Sequence, residues 1–92
     1  MTDQYETVPE YFRPCIEDIK DEIPTSWEYY GSHNDACPSF QHKGLQIFID
    51  YLDPAMRDDR DWSRFCVHQI DGNVRLLETD SFDDLLKFVE EN

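Results

Sequence analysis

The sequence is poor in positive charge. Only 8 Lys and Arg stand against 21 Asp and Glu, a formal net charge of −13 over 92 residues. Such a surface repels phosphate backbones and anionic membranes, which argues against direct contact with nucleic acid or lipid and favours basic protein partners. Glycine is nearly as scarce: with 3 in the chain there is no glycine-rich phosphate loop and no G-x-S-x-G nucleophile turn. The 3 cysteines, Cys15, Cys37 and Cys66, form no close pair, so free thiols are expected. No run approaches the roughly 18 apolar residues of a membrane span. The opening MTDQYETVPE has neither a basic nor an apolar leader region, and a cytoplasmic location is expected.

Large apolar side chains are present. The chain carries 6 Phe, 5 Tyr and 2 Trp, enough to argue for a folded chain despite the charge. At this length, one domain spanning residues 1–92 is expected, because domains begin at roughly 50 residues. Charge falls in three blocks. Residues 1–30 carry eight acids and two bases, 50–62 carry five and two, and 80–92 carry five against Lys87, while 31–49 and 63–79 are neutral.

Apolar spacing sets the expected elements. After Thr7 and Pro9, residues Phe12, Cys15, Ile16, Ile19 and Ile23 recur at three and four, which predicts a helix ended by Pro24. Pro14 must kink that helix or restart it. TSWEYYG (25–31) reads as a short strand and 31–44 as a loop. LQIFIDYL (45–52) alternates as a strand, with Leu45, Ile47, Ile49 and Tyr51 on one face and Phe48 on the other. SRFCVHQI (63–70) and NVRLLET (73–79) flank Asp71-Gly72 as a hairpin. Thr79, Asp80 or Ser81 caps a last helix with Phe82, Leu85, Leu86 and Val89 on its apolar face. The order α-β-β-β-β-α predicts an α+β fold: an antiparallel sheet with helices packed on one face.

Catalytic and metal chemistry find little support. His33, Cys37 and His42 share a loop, and Cys66 and His68 could join them, yet the spacing matches no paired zinc knuckle. The aspartates Asp53, Asp58, Asp59 and Asp61 lack the pattern of a calcium loop. Cys37 with His33 or His42 would need an oxyanion element that is not identifiable. Asp50 and Glu78 lack the following Lys of a nuclease pair. No enzyme, metal or other cofactor is therefore expected.

A binding surface is the better-supported expectation. On an α-helix, Glu17, Asp18, Asp21 and Glu22 would be i,i+3 and i,i+4 neighbours about 5–6 Å apart, with Arg13 and Lys20 relieving their repulsion. That spacing is comparable with the roughly 6–7 Å between phosphates implied by duplex geometry. The last helix adds Asp80, Asp83, Asp84, Glu90 and Glu91. Trp27 and Tyr30, beside the acidic blocks, are candidate aromatic anchors, although the core could equally claim the aromatics of 26–40. The 53–61 loop is expected to matter less, because ordering a flexible loop costs conformational entropy.

NDACPSF, the strand LQIFIDYLDP and the terminal LETDSFDDLLKFVEEN together resemble small acidic phage and prophage proteins of the anti-CRISPR type, over the C-terminal two-thirds of the chain. Those inhibitors share no common fold or catalytic signature, so no residue role carries over by position. The resemblance implies a phage-encoded inhibitor in the host cytoplasm. It would bind the basic nucleic-acid-binding surface of a defence (CRISPR-Cas) complex and act as a DNA mimic. An immunity or antitoxin-like protein that blocks a basic toxin nuclease is the alternative, and an acidic structural component a third.

Overall fold

The computed structural model describes residues 4–31, 37–57, 60–72 and 74–91. Five strands form one antiparallel sheet: β1 (Glu28–Tyr29), β2 (Ser39–His42), β3 (Leu45–Ile49), β4 (Phe65–Gln69) and β5 (Val74–Thr79). They lie side by side in chain order. Helix α1 (Gln4–Thr7) precedes the sheet and α2 (Phe82–Glu91) follows it. Among the described residues no helix is long and apolar enough to cross a membrane.

β3 shows why the sheet forms where it does. Leu45, Ile47 and Ile49 are buried while Gln46 and Phe48 are half-buried, the period of two that puts alternate side chains on opposite faces. Phe40 of β2 pairs with Ile47, and Val67 of β4 pairs with it from the other side. All three are fully buried. The expected strand 45–52 stops at Ile49 because Asp50 takes the Tyr51 N–H on its own Oδ1 at 2.8 Å, a local bond that turns the chain.

Strand β2 lies inside the expected loop 31–44. It is joined to β3 by Lys43 and Gly44, whose φ angles are 53° and 79°. Two positive φ values in a two-residue hairpin loop mark a type I′ turn. The expected strand 25–31 shrinks to β1, with buried Trp27 just before it. The β4–β5 hairpin forms as expected around Asp71-Gly72. Its register shifts between Val67↔Leu77 and His68↔Arg75, leaving Leu76 as the extra residue of a bulge.

The expected N-terminal α-helix is not present. After α1 the chain forms a 3-10 helix over Glu10–Cys15 and then successive tight turns. Ile16 N–H donates to the Arg13 carbonyl at 3.0 Å, Ile19 to Ile16 at 3.0 Å and Glu22 to Ile19 at 2.9 Å. Pro14 explains the switch: it has no N–H for an i→i−4 bond, and its ring clashes with the carbonyl four residues back. The apolar stripe survives, for Phe12, Cys15, Ile16, Ile19 and Ile23 are all buried in the core. Leu85 and Val89 of α2 join the same core with the inward residues of the sheet. The N-terminal segment and α2 thus cover one face of the sheet, which is the α+β arrangement in coarse form. The other face carries Gln46, Phe48, Cys66 and His68, half-buried, with Arg75 and Glu78 exposed.

Candidate functional site

The expected site residues separate into those that face solvent and those the fold uses. Glu17, Asp21, Glu22, Asp83, Asp84, Glu90 and Glu91 are exposed. Glu17 pairs with Lys20 at 3.3 Å. The two acidic segments meet at one end: Pro24, Ser26 and Trp27 share a shallow cleft with Leu86, Val89 and Glu90, which sets the last turn of α2 beside the end of the N-terminal segment. The acids of the first segment do not sit on an α-helix, so their expected regular spacing does not hold.

Three expected partner contacts have other work. Trp27 is 2% exposed, and its ring packs 6.3 Å from that of Phe40. Asp18 is held by the Arg64 guanidinium through two bonds of 2.9 and 2.6 Å, and that pairing lowers its pKa. Asp80 precedes α2 and accepts the Arg64 backbone N–H at 2.7 Å, while Ser81 caps the helix by accepting the Asp84 N–H at 3.2 Å. Tyr30 is exposed.

The candidate metal set is brought together only in part. Cys37, Cys66 and His68 line one hollow with Asp50, whereas His42 lies in the cleft with Trp27; His33, with Asp58 and Asp59 of the candidate calcium loop, falls outside the described residues. Among the described residues no three His, Cys, Asp or Glu are grouped to hold a metal ion. Two of the thiols, Cys15 and Cys66, are poor nucleophiles. Burial, with the Asp50 charge next in size, pushes Cys15 up to about 12, and burial raises Cys66.

A site that charge and periodicity do not reveal lies in residues 51–57 and 60–62. Arg57 folds back into its own loop, its side chain only 5% exposed. Its Nε donates to the Tyr51 carbonyl at 2.8 Å, Nη1 to Trp62 at 2.6 Å and Nη2 to Leu52 at 3.3 Å. One planar cation thereby gathers both ends of the loop. Asp53 caps a single 3-10 turn (Pro54–Met56) by accepting the Ala55 N–H at 3.0 Å. The loop so built turns Leu52 (61%), Met56 (61%) and Trp62 (45%) toward solvent. Trp62 also walls a hollow of ≈ 240 Å³ on the half-open sheet face, floored by Phe48, Cys66 and His68 and edged by Arg75 and Glu78. The sequence signal was present in part: Asp53-Pro54 is a cap followed by a first-turn proline, and Trp62 stands alone among polar residues.

No protein-family model, curated protein or solved structure matches this chain.

Proposed function

We propose that this chain is an acidic, non-enzymatic binding domain that occupies the basic, nucleic-acid-binding surface of a partner protein and competes there with DNA or RNA. In the form the phage resemblance implies, the partner is a host defence complex.

The partition of charge carries this reading. Every described acid except Asp50 is exposed, whereas among the bases Arg64 is buried and Arg13, Lys20 and Arg57 are half-buried. Arg57 and Arg64 spend their donors on internal carbonyls and on Asp18. The surface is therefore more one-sided than the composition. Such a field raises the encounter rate with a basic channel and competes with phosphate for the same cations.

The test is capture of partners on the immobilised protein from nuclease-treated lysate, followed by elution with duplex DNA or with salt. A basic protein that is retained without nucleic acid, released by DNA, and lost as salt shortens the roughly 10 Å screening length of 0.1 M is the expected result. A captured partner that neither DNA nor salt displaces would contradict the proposal.

A further inference from the structure

We infer that the Arg57-held loop is the adhesive part of this surface, and that it seats a protein segment in which Lys or Arg alternate with large apolar side chains. The inference rests on the proposed basic partner and names where that partner is gripped.

Three observations converge. Leu52, Met56 and Trp62 are the large apolar side chains of a single loop, and all three are exposed. Single exposed apolar residues are ordinary, but a group of them on one surface marks an interaction site. Trp and Met are also enriched at the centres of protein interfaces.

The described residues of the loop are held in place before any partner arrives. The carbonyls of Tyr51, Leu52 and Trp62 converge on one guanidinium, so the three apolar residues issue from backbone already gathered around Arg57. Prior order removes part of the entropy lost on association, which is what an adhesive patch requires.

Charge selects the occupant. Asp53 and Asp61 are exposed within the same loop against one exposed base, Arg60, and exposed Asp80 lies 3.8 Å from Arg57. An excess of carboxylates beside exposed apolar side chains repels acidic partners and suits one whose cationic heads lie beside apolar side chains. The hollow behind Trp62, with Phe48 on its floor, gives one such apolar side chain a place to enter. The remaining acidic surface, including α2, then acts at longer range by steering.

The experiment titrates the whole chain with two labelled synthetic peptides of equal length, one alternating Arg and Leu, the other Arg and Ser. The Arg–Leu peptide is expected to bind at least about tenfold more tightly. The triple variant Leu52→Ser, Met56→Ser, Trp62→Ser should bring it down to the Arg–Ser level. The single variant Met56→Ser, at a side chain 61% exposed, should lose about two- to threefold and guards against misfolding of the triple.

Equal affinity for the two peptides, or undiminished Arg–Leu binding by the variants, would overturn the inference. Salt-sensitive Arg–Ser binding in that case would leave the broader basic-partner reading standing. Binding of neither peptide would overturn both.

Discussion

Two irregular segments of this protein are each organised by one arginine, and they come to opposite ends. Residues 9–23 are drawn onto the sheet by Arg64, which bonds Asp18 twice, the Cys15 carbonyl at 2.8 Å and the Asp50 carbonyl at 3.2 Å. Residues 51–62 are closed by Arg57 on three carbonyls of the loop itself. The first segment buries Phe12, Ile16, Ile19 and Ile23 and shows solvent its acids. The second shows solvent Leu52, Met56 and Trp62. The arginine that bonds across the fold adds a layer to the core, whereas the one that bonds mainly within its own loop, with Asp80 at 3.8 Å beyond it, produces a shaped surface. Burial separates structural apolar residues from those available to a partner.

Removing the two arginines should separate these roles most strongly. Arg64→Met strands the Cys15 and Asp50 carbonyls and releases Asp18. The guanidinium is buried, so the loss should be about 3 kcal/mol, below the full cost of breaking a buried pair because Asp18 can rehydrate. Arg57→Met leaves carbonyls near the surface that water can reach, at about 1 kcal/mol. Urea midpoints of the two variants measure the difference, and equal losses would dissolve the distinction between core and surface segments.

A smaller effect appears with pH. Pairing with Arg64 holds Asp18 below its ordinary 3.8. The stabilisation from this pair is complete well above that value. It declines as pH falls through 3.8, where the unfolded chain takes the proton first, and vanishes below the folded pKa. The stability gap between the native chain and Asp18→Asn, on the order of 1 kcal/mol for a partly exposed pair, should therefore narrow between pH 5 and the acid limit. Denaturation at a series of pH values checks it, and a constant gap would mean that the Asp18 carboxylate is not ionised against Arg64.

The same contrast explains what could be read from the residues. β3, β4, β5 and α2 were legible because alternation, an Asp-Gly turn and a capped apolar stripe each point to one element. Strand β2 was not, because it is four residues long and its I′ turn uses Lys43-Gly44 in place of the usual Asn-Gly. The N-terminal stripe fits an α-helix and a chain of i→i−3 turns equally over so few residues, and Pro14 decided between them.

The exposure of the acids followed from charge alone. The commitment of Asp18 did not, since Arg64 lies 46 residues away. Aromatic identity could not sort buried Trp27 from exposed Trp62, which depends on the tertiary position of each. The 53–61 loop looked flexible in sequence because the order of residues 51–57 and 60–62 comes from side chain to carbonyl bonds, which leave no periodic trace.

That order is the claim on which the comparison turns, and backbone 15N relaxation tests it directly. The account predicts order parameters near 0.85 for residues 51–57 and 60–62, matching residues 12–23, with a fall below about 0.6 in the loop alone for Arg57→Met. Values below about 0.6 in the loop of the unaltered chain would contradict it.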